Sequence, residues 1–225
     1  RDFAISKIDK KYFNALQIYK KVIRQKNKLP KYFEGEDKFL VLDTYNKMLA
    51  ENGSYIEFKR RFFTDCLNAL VGDIYGKLTG TDGDVYIDFE AQVDTDDKTE
   101  DEILKEYEDM LEEAKFREIE RRTSVKGTHL DDWGFYLNRR NAKKFCSQGQ
   151  QRIFLLAVLF AQTEIALSET GEKPVVLLDD VLSELDNERK KFVLSYISNY
   201  QTFITTANNE EYLLPMIHDY EVIKI

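Results

Sequence analysis

Two stretches of this chain have residue types and spacing suited to chemistry. The first is Ser147-Gln148-Gly149-Gln150-Gln151-Arg152, a polar knot that opens straight into an apolar helical pattern. A helix start presents unpaired N–H groups and the positive end of the helix dipole, so it suits a phosphate. Ser147 can add a hydroxyl, Gln148 and Gln150 add neutral donors, and Gly149 lets a ligand come close to the backbone. The same residues also read as an ordinary capping box, Ser147 with Gln150 three positions on. The second stretch is Val175-Val176-Leu177-Leu178-Asp179-Asp180, followed by Ser183-Glu184-Leu185-Asp186. An apolar strand ending in two acids places both carboxylates at the sheet edge where α/β proteins bind ligands. Adjacent acids repel unless one meets a cation and the other a proton or water. A strand of this kind holds Mg²⁺ with the first acid and polarises an attacking water with the second.

The elements that must position these residues follow from hydrophobic spacing. Residues 3 to 29 read as a lysine-rich helix ending before Pro30. A second helical pattern runs from Asp37 to about Leu78, with Gly53 as a point where it bends or splits. Together they read as a helical arm over residues 1–82, followed by a lobe over 83–225. In that lobe, Val85 to about Val93 and Trp133–Asn138 read as strands, and Glu100 to about Glu120 as an acidic helix. A helix over Gln148–Glu169, a strand ending at Asp180, a helix over Asn187–Asn199 and the strand Gln201–Ala207 then alternate. "YEVIKI" at the end reads as a last strand. The unbroken apolar run before Asp179 predicts a strand buried on both faces, as in a parallel sheet. The fold class is therefore α/β, with parallel strands flanked by helices.

Composition narrows the chemistry. With 43% apolar and 33% charged residues, the 225-residue chain reads as a globular protein. No unbroken apolar run approaches the roughly 18 residues that span a bilayer, and the first residues lack a secretory leader pattern. The expected location is cytoplasmic. Cys66 and Cys146 have no Cys or His at metal spacing and read as free thiols. Only His129 and His218 could act as imidazole catalysts. The net charge is −8, but it is polarised. Residues 1–31 hold ten Lys/Arg against two acids, and residues 94–120 hold thirteen acids against four bases. The basic segment Lys7 to Lys31 and the cluster Lys59-Arg60-Arg61 are candidate DNA contacts.

Taken together, "SQGQQR", "VVLLDDVLSELD" and "QTFITT" resemble the carboxyl-terminal half of the RecF family, within the SMC-like branch of ABC-type ATPases. "YFNALQIYKKVIRQKNKL" is similar to the start of that family's helical arm. "GTHLDDWGFYLN" is similar to its Gly-Pro-His-Arg-Asp-Asp block, with Thr128 in place of the Pro and Leu130 in place of the Arg.

The resemblance implies the signature/Walker B lobe of an ABC-type head carrying a long arm. It implies ATP and Mg²⁺ as cofactors and a homodimer closed around two nucleotides. Ser147 and Gly149 would meet the γ-phosphate held by the opposite subunit, and Gln148 and Gln150 would be cofactor-binding residues beside them. Asp179 would position Mg²⁺ and Asp180 would be the catalytic acid. Ser183 and Asp186 would form the dimer-facing D-loop, and Thr206 would occupy the switch position. The implied activity is ATP hydrolysis coupled to clamping double-stranded DNA near single-strand gaps. RecR and RecO are the implied partners in loading RecA. The family's P-loop has no match here. The nearest sequence, Gly72-Asp-Ile-Tyr-Gly76-Lys77-Leu78, reads as coincidence, so this chain alone is expected to be inactive. A non-catalytic interaction module and another SMC-like ATPase are the alternative readings.

Overall fold

The computed structural model describes residues 2–29, 37–81, 83–206, 221 and 223. They fall into two compact units. The first comprises Arg1–Cys66 with Ile87–Gly134, and the second Leu67–Tyr86 with Phe135–Ile225. Neither unit is one continuous stretch, and residue 82 falls between the described ends of a segment of the second.

The first unit starts with α1 (Asp2–Ile8) and α2 (Lys10–Lys26). The single helix expected over 3–29 is divided at Asp9, whose backbone is extended and whose carboxylate accepts the Tyr12 N–H at 2.8 Å. A short acid placed there caps the new helix better than it would continue the old one. α3 (Asp37–Thr79) is unbroken over 43 residues. Gly53 does not split it. A Cβ at that position would lie 2.6 Å from Cζ of Tyr107, so the glycine makes room for a ring. α4 (Glu100–Arg121) begins at a capping box of Thr99 and Glu102 and buries Ile103, Tyr107, Leu111 and Ala114.

A polar network lies within this unit. Arg60 is buried on α3. It donates to the Thr128 carbonyl at 2.8 Å, to Asp131 Oδ2 at 2.5 Å and to Asp2 Oδ1 at 2.9 Å. Tyr12 donates to the same Asp2 oxygen at 2.6 Å, and the Gln92 N–H donates to Asp131 Oδ1. Burial pushes the Asp131 carboxyl up to about 6, against the pull of Arg60 and of hydrogen bonds from Glu57 and Gln92. Above this network, the Tyr107 hydroxyl accepts the Thr128 N–H at 2.8 Å and lies 2.9 Å from the Tyr19 hydroxyl. Burial holds the Tyr107 phenol protonated far above the usual range. Lys26 and Glu118 form a buried ion pair at 2.5 Å, and Glu118 also accepts the Val125 N–H. The 124–131 turn is thus tied to α2, α3 and α4.

This network corrects one expectation. The Lys59-Arg60-Arg61 cluster is not a free basic patch. Arg60 is consumed internally, Lys59 pairs with Asp9 at 3.0 Å, and Arg61 pairs with Asp96 at 2.7 Å.

β1 (Val85–Glu90), β2 (Asp132–Leu137) and β3 (Arg140–Asn141) form a three-stranded sheet in that order, with β2 and β3 antiparallel. In the second unit, α5 (Ala142–Phe145) leads into α6 (Gln148–Thr170). β4 (Val176–Asp179) pairs in parallel with β5 (Thr202–Thr205), and α7 (Asn187–Ile197) is the connection between them. By length and composition alone α6 could cross a membrane, but half of its apolar window is buried within the protein, as in a core helix. The short β3 and α5 were not predicted. "YEVIKI" lies outside the described residues except for Glu221 and Ile223.

One prediction about β4 fails. Val176 and Leu178 are buried, but Val175 and Leu177 are 52% and 69% exposed. Leu177 pairs with Phe203, itself 57% exposed. The strand pair therefore buries one face only; the continuous apolar run comes from two faces, one of them open.

Candidate functional site

The polar knot forms the first turn of α6. Ser147 is its N-cap, with extended backbone. The Gln150 N–H donates to Ser147 Oγ at 3.2 Å, and the Ser147 N–H donates to Gln150 Oε1 at 2.9 Å. Gln151 donates to the Cys146 carbonyl at 3.0 Å. The capping box is therefore real, and it fixes the helix start without outside help. Ser147, Gln148, Gly149 and Gln150 are all exposed. The box does not explain Gly149. A Cβ there would meet nothing within 4 Å, and a glycine in a helix costs about 1 kcal/mol relative to alanine. Nothing in the chain's own packing requires the missing side chain, which fits close approach by something from outside. Gly149→Ala should raise the chain's unfolding free energy by about 0.5–1 kcal/mol in a urea titration. A loss of stability would mean that the glycine has an internal role.

The second stretch ends β4. Asp179 and Asp180 are both exposed at the carboxyl end of the strand. Asp179 accepts a short hydrogen bond from the Thr205 hydroxyl, across the parallel register that pairs the two residues. The Asp180 N–H donates to the Thr205 carbonyl and to Thr205 Oγ1, each at 3.1 Å. Asp180 has φ +50°. An aspartate tolerates this left-handed region better than most residues, though at some cost. The turn beyond it is secured by the Ser183 hydroxyl, which donates to the Asp180 carbonyl at 2.9 Å. Asp186 then caps α7, accepting the Arg189 N–H at 2.9 Å, and pairs with the Arg189 side chain at 2.5 Å.

The fold thus brings Asp179, Asp180 and Ser183 into one hydrogen-bonded cluster. Thr205, which the sequence reading passed over, joins the cluster by contacting both acids. Its signal was the parallel register, which sets the end of β5 against the end of β4. Thr206 follows it at the exposed end of the strand. The hydrogen bonds of Ser147 and Gln150 stay within their own helix start. The Gly72–Leu78 sequence lies inside α3, where its backbone is helical and cannot form a phosphate-cradling loop. No group of three or more His, Cys, Asp or Glu able to hold a metal occurs among the described residues.

Chemically, two adjacent carboxylates at a parallel strand end can share a divalent cation and a water. A capped helix start with an open glycine can receive a phosphate. Comparison with known proteins finds relatives of a single description. The chain is 36% identical over 210 residues to the DNA replication and repair protein RecF of Clostridium perfringens, covering 93% of this chain and 56% of that protein. The RecF of Acetivibrio thermocellus is 38% identical, and that of Lachnospira eligens is 31% identical across the whole chain.

The chain is RecF-like.

The fold agrees. A solved structure of the recombination mediator protein RecF-ATPrS in the RecFOR pathway superposes with a TM-score of 0.81 at 30% identity. It matches 92% of this chain and 56% of that RecF. A RecF-ATP structure gives the same score. The chain spans a little over half the length of the RecF proteins it matches. No family profile matches it.

Proposed function

We propose that this chain is the carboxyl-terminal, signature-bearing part of a RecF-like ATP-dependent DNA clamp acting in recombinational repair and replication restart. The observation that carries the reading is the acidic end of β4, where Thr205 holds Asp179 and Asp180 side by side and Asp180 is kept in a left-handed conformation. Asp179 would give its carboxylate to Mg²⁺, which neutralises phosphate charge. Asp180 would orient the attacking water and take its proton. In a homodimer, Ser147 and Gly149 would meet the γ-phosphate of ATP held by the other subunit, and Gln148 and Gln150 would be cofactor-binding residues beside them. Ser183 and Asp186 would line the dimer contact, and Thr206 would sit beside the phosphate.

The open apolar face of Val175, Leu177 and Phe203 supports a chain that works as part of something larger. We assign its cover to the portion of the RecF proteins that this chain does not span. The 1–82 arm and the 83–225 lobe are then the functional divisions. The whole protein would clamp double-stranded DNA near single-strand gaps in the cytoplasm. It would work with RecR and RecO in loading RecA, and this chain alone would be inactive as an ATPase.

The test joins the chain to the remaining portion of a RecF relative and measures ATP turnover. Asp180→Asn should lower turnover by about 100-fold or more while nucleotide binding persists. Turnover unchanged by Asp180→Asn, or no turnover in the joined protein, would favour the non-catalytic interaction module.

A further inference from the structure

We infer that the outward face of α1 and α2 is a phosphate-backbone track for duplex DNA. This rests on the DNA-clamp reading and gives it a location. At about 100° per residue, Lys10, Gln17, Lys21 and Arg24 fall on one stripe. Tyr12, Tyr19 and Lys26 occupy the opposite, buried side. Lys7, Lys10, Lys20, Lys21, Arg24 and Lys28 are all exposed. None of these six forms an ion pair with another described residue. The two acids of the segment do not dilute the charge. Asp2 is turned to Arg60 and Tyr12, while Asp9 is held by Tyr55, Lys59 and the Tyr12 N–H. Two other lysines of α2 are committed elsewhere, Lys11 to Glu100 and Lys26 to Glu118. The fold therefore sorts the cations: Lys10, Lys20, Lys21 and Arg24 share one side of α2, and Lys7 and Lys28 are exposed just before and after it, in a chain whose net charge is −8.

The choice of DNA over an acidic protein partner follows from the make-up of the face. Protein interfaces have an apolar, charge-depleted centre and are poor in lysine. Here five of the six charges are lysines. Between them lies a shallow groove lined by Gln17, Ile18, Lys20, Lys21, Arg24 and Gln25. Phe13 and Ile18 are the large apolar side chains on the α2 stripe, and each is more than half covered. Exposed ammonium groups with amide donors among them suit a phosphate backbone and carry no base code.

The test is fluorescence anisotropy of the 225-residue chain on a 20-base-pair duplex, titrated with salt. The triple variant Lys20→Gln, Lys21→Gln, Arg24→Gln should keep its helix content, because glutamine is nearly as good a helix former as lysine. It should bind at least tenfold more weakly at 0.1 M salt. The slope of log affinity against log salt should fall by about 3, close to one for each phosphate no longer neutralised. The control Lys105→Gln, Arg117→Gln, Arg121→Gln removes the same charge from α4 and should change neither value. Equal losses in the two variants, or none in the first, overturn the track and leave the clamp reading standing. So does a wild-type chain that fails to bind duplex at low salt, because an electrostatic track needs no nucleotide. The Asp180→Asn turnover assay judges the clamp reading separately.

Discussion

Gly127→Ala should destabilise the chain by about 3–5 kcal/mol and remove most of the cooperative unfolding signal near room temperature. Two costs combine. The residue sits at φ +126° and ψ 172°, a region that essentially only glycine occupies. A Cβ would also lie 2.2 Å from the Tyr19 hydroxyl oxygen and 2.8 Å from that of Tyr107. Neither ring can retreat freely, because both are buried and their hydroxyls are bonded to each other, with Tyr107 also accepting the Thr128 N–H. Overpacking of this kind costs about 1–3 kcal/mol before backbone strain is added. Urea unfolding followed by circular dichroism measures the effect; a loss below 1 kcal/mol would show that the turn is free to rearrange.

Arg60→Ala should cost about 3–5 kcal/mol at pH 7, because it leaves the Asp131 carboxylate buried without its cation. The pH dependence separates this from a simple loss of packing. The Asp131 carboxyl already titrates at about 6 in the fold, above its usual 3.8, because burial disfavours its charge. Removing Arg60 raises it further. A carboxyl raised by folding adds stability below its unfolded value and loses it as pH rises through the folded one. The variant's deficit should therefore be smallest near pH 4 and grow up to about pH 7. A deficit that does not change between pH 4 and 7 would assign the arginine's contribution to packing alone.

What was legible in the sequence depended on how local the cause was. The long helices, β1, β2 and the helix–strand alternation after residue 147 follow from periodicity and caps. The Ser147–Gln150 box could be read directly because both partners lie within one turn. The Asp179–Asp180 strand end was legible for the same reason. Other features depend on residues far apart in the chain. Arg60 looked like one of three surface bases, and only the approach of Asp2 and Asp131 makes it internal. Thr205 became part of the acidic cluster through strand register, 26 residues from Asp179. The apolar run in β4 concealed the fact that one of its faces is uncovered, since hydrophobicity reports a need for burial and not whether the cover is present.

Tyr107 carries a constraint on how this sequence can change over time. Its ring presses on Gly53 from one side, and its hydroxyl blocks any side chain at Gly127 from another. Neither glycine can acquire a side chain while the tyrosine stays. Shrinking the tyrosine first opens a cavity and removes the partner of the Thr128 N–H. Gly127 stays fixed even then, by its backbone angle and by the Tyr19 hydroxyl, but Gly53 is blocked by Tyr107 alone, so residues 53 and 107 should be inherited together in related lineages or replaced together.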